Sequence, residues 1–299
     1  MEEFAGAVAE AGFELEYCQL KSDQADSAMQ VFATEAVRAS RFQVGSHIHH
    51  HILSEGGALT FGLLDGPQCG TLIEGREFHP GDLLLAKGDL GIDAVISSGF
   101  IGRVISIDES HLAMLAEQHE LDLPQEAGTE RCLRPDQRIR LERLLRDVSE
   151  SQFLGPSFCE LAGVLDTSVP LALLAAWSGS DARPACHHST RQRACNRAVE
   201  YIRNSGGEVR TVQQVCQAAA ASYSTLERAF REAFGISPKQ YLVQYRMSAV
   251  RQELLDLPSG LSITEVAHHW GFAHMGKFAA DYKSLFGELP SHTVQCRGR

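Results

Sequence analysis

The sequence predicts a two-domain α+β protein, in which a β-rich domain that also carries helices precedes an all-α domain with two helix-turn-helix motifs. Three observations predict this fold class: a repeat of helical segments near the C-terminus, short β-prone runs between glycine turns near the N-terminus, and opposite net charges in the two parts. We place the first domain at residues 1–177, a linker at 178–190 and the second domain at 191–299.

Residues 1–108 alternate between short β-prone runs and turns built around glycine. Several short strands at close spacing are typical of an all-β barrel or sandwich. The predicted strands are Leu59–Leu64, Thr71–Ile73, Leu83–Leu85, Ala94–Ile96 and Arg103–Ile107.

Three helices are predicted after these strands: Glu109–His119, Pro135–Glu150, and Phe158–Trp177 with an interruption around Pro170. The second of them carries an apolar stripe that would face a core. The stripe consists of Ile139, Leu141, Leu144, Leu145 and Val148. The sequence leaves open whether these helices pack on the strands or pair between subunits.

The linker at 178–190 is rich in small, polar and helix-breaking residues, and the charge changes sign across it. Residues 191–299 hold 14 basic and 9 acidic side chains, a net charge of +5, whereas residues 1–190 hold 13 and 29, a net charge of -16. This asymmetry predicts that the C-terminal domain alone meets phosphate groups, with double-stranded DNA as the partner.

The repeat joins two helical units 52 residues apart. Each copy predicts a short helix, a tight turn and a longer helix, which is the layout of a helix-turn-helix motif. The turn of the second copy is one residue longer, because the residues ahead of the turn repeat at a spacing of 51. The matched residues are Leu226, Phe230, Phe234, Gly235 and Pro238 with Phe278, Tyr282, Phe286, Gly287 and Pro290, and Val212 and Val215 with Ile263 and Val266.

Helix caps define the predicted units. In the first unit Thr211 and Ser222 are N-caps and Gly235 ends the longer helix. Two capping boxes, Ser237 with Gln240 and Ser262 with Glu265, open a long helix and the second unit respectively. The long helix, Pro238 to about Leu255, spans about 27 Å at 1.5 Å per residue, so we expect it to hold both units against one duplex.

Residues 191–299 resemble the AraC/XylS family of transcriptional regulators. The matching residues are Leu226 to Phe230, Phe234 to Pro238, Tyr241, Arg246-Met247, Leu254-Leu255, Ile263, Val266-Ala267, Gly271-Phe272, Phe278, Lys283, Phe286-Gly287 and Pro290-Ser291. The resemblance implies a DNA-binding regulator, activation rather than repression, and RNA polymerase as a partner. It also implies DNA contacts from both longer helices. We assign them to Ser222, Tyr223, Ser224, Glu227, Arg228 and Arg231 in the first, and to His274, Met275, Gly276, Lys277, Ala280 and Lys283 in the second.

The same resemblance implies that the N-terminal domain is a cupin-like barrel that senses a small-molecule effector and forms a homodimer. Four residues are candidates for an effector carboxylate or phosphate: Arg38, Arg41, His47 and His49. The run His47–His51 with Glu55 is similar to the H-x-H…E arrangement of metal-binding cupins. The glycine spacing and the Gly75–Asp82 segment do not fit that arrangement, so we predict no metal and no cofactor.

The remaining features predict a cytoplasmic protein that is neither an enzyme nor membrane-bound. The N-terminus does not resemble a signal peptide, no apolar run reaches about 20 residues, and eight scattered cysteines indicate reduced thiols. No nucleophile motif, phosphate loop or paired-carboxylate motif is present. Two alternatives stay open: a metal-dependent cupin-type enzyme with an appended DNA-binding module, and a regulator controlled by a protein partner through helices 109–177.

Overall fold

A computed structural model of the chain describes residues 6, 8–9, 13–22, 26–54, 56–65, 70–87, 92–124, 129–154, 158–182, 189–255 and 261–295. The chain divides into two compact units. The first comprises Met1–Glu16, Ala25–Gly45 and His51–Ala185, and the second comprises Tyr17–Gln24, Ser46–His50 and Cys186–Arg299. The first unit is rich in β-strands and the second is mainly helical, so the α+β prediction is confirmed.

The strands form two sheets. They are β1 (Phe13–Gln19), β2 (Ala28–Ala33), β3 (Val37–Val44), β4 (Ile48–Ser54), β5 (Ala58–Leu64), β6 (Leu72–Ile73), β7 (Arg76–Glu77), β8 (Asp82–Lys87), β9 (Ile92–Ile96), β10 (Phe100–Asp108), β11 (Thr129–Cys132) and β12 (Asp181–Ala182). One sheet has the order β1-β4-β9-β6-β7 and the other β12-β11-β8-β5-β10-β3-β2. The central strand β10 pairs antiparallel with both β3 and β5.

One face of the seven-stranded sheet packs on the helices of the first unit. These helices are α1 (Glu109–Gln118), α2 (Pro135–Leu154), α3 (Phe158–Gly163) and α4 (Val169–Ser178), with a π-helical turn at Val164–Ser168. Alternate strand residues such as Phe61 and Ile105 join Leu145, Leu173 and Trp177 in one buried cluster, as expected when only every second side chain points to a given face.

The helical interruption lies at the π-helical turn that precedes Pro170, rather than at Pro170 itself, which occupies the first turn of α4. A proline at this position has no N–H to donate to the carbonyl oxygen of Asp166. His111 Nε2 lies 2.6 Å from that oxygen and bonds to it instead. The wider turn is therefore stabilised by a side chain from α1.

Two other expectations about the first unit need correction. Ile139 was assigned to the apolar stripe of α2 but is 54% exposed, while Leu141, Leu145 and Val148 are buried. At about 100° per residue, Ile139 points almost opposite to Leu141. The predicted linker is also partly structured: α4 ends at Ser178, Asp181–Ala182 forms β12, and 183–188 lie outside the described residues.

One helical stretch, Leu161–Ser178, is long and apolar enough to cross a membrane, with a mean hydropathy of 1.4. It includes the π-helical turn and its Asp166. Leu165, Val169, Leu173 and Leu174 within it belong to the buried cluster beneath the seven-stranded sheet. Packing in a core therefore accounts for its composition.

The second unit contains seven helices within 189–295: α5 (Thr190–Asn204), α6 (Val212–Ala218), α7 (Tyr223–Phe234), α8 (Pro238–Leu255), α9 (Ile263–His269), α10 (Met275–Phe286) and α11 (Pro290–Gln295). The helix α8 is buried on several sides, including Tyr241, Met247 and Val250. Its Met247 and Val250 join Phe278 and Tyr282 of α10 in one cluster. The long helix is therefore a structural core element of this unit.

Candidate nucleic-acid interface

The first candidate helix pair is α6–α7, and caps fix both of its ends. Thr211 and Gln214 form the capping box of α6, and the Ser222 hydroxyl accepts a hydrogen bond from the Thr225 N–H at 3.2 Å. The intervening turn places Ala220 at φ 49°, a conformation that non-glycine residues rarely adopt. The helix α7 ends at Gly235 with φ 69°, as predicted from the sequence.

The exposed face of α7 carries three interacting side chains and one arginine outside that group. Glu227 accepts a hydrogen bond from Arg231 Nε at 2.8 Å, and its hydrogen bond with the exposed Tyr223 hydroxyl raises the pKa of that phenol. Arg228 is exposed and has neither a hydrogen bond nor an ion pair with any residue that the structure describes. Arg228 can therefore contact DNA without first breaking an interaction with a described residue of the protein.

The second candidate pair is α9–α10, and its turn is one residue longer than that of the first pair, as predicted. His274 precedes α10 without making a side-chain cap. Lys277 forms an ion pair with Asp281 at 2.8 Å, whereas Lys283 is exposed and has no hydrogen bond or ion pair within the described part of the chain. The predicted contacts Gly276 and Ala280 are exposed, and Met275 is half-buried.

Two arginines hold the turns of these helix pairs in the same way. Arg197 donates from Nε and Nη2 to the carbonyl oxygen of Ala219, at 3.1 and 2.7 Å. Arg246 donates from Nε to the carbonyl oxygen of Trp270 at 2.6 Å. Ala219 and Trp270 are the C-caps of α6 and α9 and lie 51 residues apart, so each arginine satisfies a helix-terminal carbonyl that has no partner within its helix.

The turn of the second pair is crowded. Gly271 has φ 77°, and a Cβ at this position would lie 2.7 Å from Arg246 Nη2 and 2.9 Å from the Arg210 side chain. Arg210 in turn donates to the carbonyl oxygen of His269 at 2.8 Å. Two arginines and the backbone thus fix the entry to α10, and only glycine fits between them.

Replacing Arg197 with methionine is expected to lower the free energy of unfolding of the second unit by about 1–2 kcal/mol, because the Ala219 carbonyl loses a charge-assisted hydrogen bond. Hydrogen exchange of peptides covering α6 and α7 measures the loss. Arg193→Met is the matched control, since Arg193 is exposed on the same helix and its Nη2 lies 3.4 Å from the Thr190 hydroxyl. Equal protection in both variants would show that Arg197 does not hold the turn.

The helix α11 is fastened to α8 by a polar cluster. Arg251 forms an ion pair with Glu288 at 2.8 Å, and Glu288 also accepts hydrogen bonds from His292 and Thr293. Partial burial alone would raise the pKa of Glu288, but these hydrogen bonds and the Arg251 charge together lower it. Burial also raises the pKa of the neighbouring Tyr282 to about 12, so Glu288 stays ionised and Tyr282 stays neutral near neutral pH.

Arg38 and Arg41, two of the four effector candidates, lie on β3. Arg41 Nε is 2.6 Å from Asp65, which also bonds Arg103 Nη2 at 3.2 Å. Partial burial would raise the pKa of Asp65, but the Arg41 hydrogen bond and the Arg103 charge lower it. Arg38 lies opposite Ser106 of β10. Arg41 and Arg103 thus share the Asp65 carboxylate, and the sequence analysis did not single out Arg103.

The other two effector candidates, His47 and His49, belong to the second unit. His49 Nδ1 lies 2.6 Å from the Tyr241 hydroxyl, and its ring packs 4.9 Å from the ring of Phe234. The His47 carbonyl oxygen accepts a hydrogen bond from the Leu20 N–H. Among the described residues no three His, Cys, Asp or Glu side chains are grouped to hold a metal ion, and Glu55 lies outside those residues.

A family model described as a helix-turn-helix domain matches residues 215–295, which include both helix pairs from Val215 onward. The probable thc operon regulatory protein of Rhodococcus erythropolis is 35% identical over 99 residues, which are 33% of this chain and 30% of that protein. The XylDLEGF operon transcriptional activator 1 of Pseudomonas putida is 28% identical over 227 residues, or 74% of this chain and 69% of that protein. The chain is thus similar to transcriptional regulators of the AraC/XylS family.

The resemblance drawn from residues 191–299 is thereby confirmed. A solved structure of a probable AraC family transcriptional regulator from Rhodopseudomonas palustris CGA009 is 29% identical, covers 35% of this chain and 96% of its own, and aligns with a TM-score of 0.33. The helix-turn-helix match and the regulators named above support DNA-binding regulation of transcription. Sequence reasoning missed the turn-holding role of Arg197 and Arg246, because their carbonyl partners lie 22 and 24 residues away along the chain.

Proposed function

We propose that this regulator is a one-component transcriptional activator with two helix-turn-helix motifs, α6–α7 and α9–α10, that enter successive major grooves. The observation that carries the proposal is the repeated scaffold with one exposed and internally unpaired cation, among the described residues, on each longer helix: Arg228 on α7 and Lys283 on α10. The buried side chains of these helices, Phe230 and Phe234 on α7 and Phe278 and Tyr282 on α10, lie away from the two cations, which leaves the cations for DNA.

The length of α8 supports binding by both motifs at once. Its 18 residues span about 27 Å, which is of the same order as the spacing of about 34 Å between successive major grooves on one side of a duplex. A buried, stiff helix of this length favours an arrangement in which α7 and α10 enter adjacent grooves over one in which they compete for the same groove.

The proposed contacts divide into base readers and backbone contacts. On α7 the base readers are Ser224, Glu227 and Arg228, with Ser222, Tyr223 and Arg231 beside them. On α10 they are Met275, Gly276, Lys277 and Ala280, with His274 beside them and Lys283 at phosphate. Because Met275, Gly276 and Ala280 cannot form side-chain hydrogen bonds to base edges, the second motif reads less by direct hydrogen bonds, which Lys277 alone among these four base readers can donate, and more by methyl contact and DNA shape.

The N-terminal part is proposed to be a cupin-like sensor that binds a small molecule, forms a homodimer and thereby controls recruitment of RNA polymerase. Its two sheets and the cavity between them, described below, support this role. Effector binding would shift the arrangement of the DNA-binding motifs by stabilising one state of the protein. Arg38, Arg41, His47 and His49 remain the predicted effector contacts for an anionic ligand.

Selection of genomic fragments by the full-length protein, followed by binding measurements across a series of salt concentrations, tests the proposal. We expect a selected fragment to bind at least about 1,000-fold more tightly than a scrambled fragment, with affinity falling steeply as salt rises. Equal binding to both fragments, or no binding, would contradict it. Scrambling the two half-sites one at a time checks that both motifs engage, because each change must weaken binding.

A further inference from the structure

We propose that the space between the two sheets of the first unit binds an uncharged, mostly apolar small molecule that carries one hydrogen-bonding group. This inference rests on the proposed sensor function and names the site and the chemical class of its ligand. The ligand class differs from the anion predicted for Arg38, Arg41, His47 and His49, because none of these four is among the described residues that line the space.

The cavity comprises about 500 Å³ of space free of protein atoms, part of which is open to solvent. Its walls come from both sheets. The apolar residues that shape it include Phe13, Met29, Phe42, Ile52, Ile92 and Val104. Three of these, Phe13, Ile52 and Ile92, lie on strands of the five-stranded sheet, so the cavity lies between the layers.

Strand register explains which side chains line the cavity. On β3, β5 and β10 the lining residues are Ser40, Thr60 and Val104. The next residue along two of these strands, Phe61 or Ile105, belongs instead to the core beneath the helices. Since successive side chains of a strand point to opposite faces, the cavity and the helical core lie on opposite sides of one sheet.

One buried polar group in this wall has no hydrogen-bond partner in the part of the protein that the structure describes. Ser40 is 3% exposed, and its hydroxyl makes no hydrogen bond with any described residue. The Thr60 hydroxyl, by contrast, bonds the Ser106 hydroxyl at 2.9 Å. A buried hydroxyl without a partner is costly and rare in proteins. Ser40 therefore points to a hydrogen-bonding group on a ligand.

The charge of the wall sets the class of ligand. None of the described residues that line this cavity is charged, so a carboxylate or phosphate would be buried there without a counter-ion from the described wall, which is strongly unfavourable. Arg41 follows Ser40 on β3 and bonds Asp65, and it lines a second hollow, which Ser40 also borders, with Arg103 and Leu145 on the helical side of the sheet. An uncharged ligand is the one that this wall accommodates.

Two fluorescent probes with the same ring skeleton test the charge requirement: neutral N-phenyl-1-naphthylamine and the sulfonate 8-anilino-1-naphthalenesulfonate. Full-length protein is titrated with each. We expect the neutral probe to bind at one site per chain, at least about 10-fold more tightly than the sulfonate, because burying an unpaired charge is unfavourable. Equal or tighter binding of the sulfonate would overturn the proposal.

Variants locate the probe. Val104→Phe fills the cavity and should weaken the neutral probe at least about 10-fold, since no room is left for it. Gln43→Ala, at an exposed position of β3, should leave binding unchanged. Ser40→Ala changes the cavity volume little and provides a second measurement if Val104→Phe does not fold. It should weaken the binding of 1-naphthol about 3–10-fold, because the hydrogen bond to its hydroxyl is lost. It should leave the binding of naphthalene, which has no hydroxyl, unaffected. Unchanged 1-naphthol binding, or unchanged probe binding by folded Val104→Phe, would contradict the assignment.

The two proposals can fail separately. A charged molecule that alters DNA binding equally in the wild type and in Val104→Phe would overturn the cavity assignment and leave the sensor proposal standing. Neutral probes that bind in the cavity of a protein that binds no DNA sequence selectively would support the cavity assignment and contradict the regulator proposal.

Discussion

Replacing Gly271 with alanine is expected to lower the free energy of unfolding of the second helix pair by roughly 2–5 kcal/mol. About 1–2 kcal/mol comes from the left-handed conformation at φ 77°, and about 1–3 kcal/mol from the contacts of the new Cβ with Arg246 and Arg210. Arg246 cannot move aside easily, because it is buried and bonded to the Trp270 carbonyl. Hydrogen exchange of α9 and α10 in the full-length protein measures the change.

Gly287→Ala is the matched control for this prediction. Gly287 has φ 79°, and a Cβ there would meet no described atom within 4 Å, so it should lose only the conformational part, about 1–2 kcal/mol. The difference between the two variants isolates the crowding at the turn. If both variants lose the same protection, the two arginines do not confine Gly271.

Replacing Arg228 with alanine is expected to weaken binding to a selected DNA fragment by about 1–3 kcal/mol, roughly 5–150-fold, and to relax base preference in one half-site. Arg228 is exposed and makes no ion pair with a described residue, so no internal interaction offsets its contact with DNA. Competition assays with fragments altered one base at a time measure the loss of preference. Unchanged affinity at every salt concentration would exclude Arg228 from the interface.

In the same assay, Arg231→Ala tests whether the effect of Arg228→Ala comes from a specific DNA contact or only from the loss of one positive charge. Arg231 bonds Glu227, and removing it deletes the same charge one helical turn away. We expect a smaller loss, under about 1 kcal/mol, because an exposed ion pair is worth little and is already formed in the free protein. A uniform loss across all fragments with a shallower salt dependence would instead assign either arginine to a phosphate contact.

The features that sequence reasoning predicted correctly are governed by local rules. The caps at Thr211, Ser222 and Ser262 and the left-handed glycine at Gly235 depend on neighbours three or four residues away, so the printed sequence contains all the information that they require. The exposed position of Ile139 could have been found the same way by counting 100° per residue from Leu141.

Features set by distant residues escaped prediction. Arg197 and Arg246 find their carbonyl partners 22 and 24 residues away, and nothing in the local sequence distinguishes them from surface arginines. The inter-sheet cavity depends on the register of several strands, which sequence pattern alone does not fix. The predicted effector contacts are arginine and histidine side chains, whereas the described walls of this cavity are mainly apolar and include the Ser40 hydroxyl.

The extra residue in the turn between α9 and α10 makes the two halves of the repeat unequal. Four residues separate α6 from α7, and five separate α9 from α10; one half carries Arg228 on its outer surface and the other carries Ala280 at the matching position. A pair of unlike halves in a fixed order has polarity, unlike a symmetric pair. The operator that fits this chain should therefore be asymmetric, and turning it end for end should reverse which side of the bound protein faces the start of transcription.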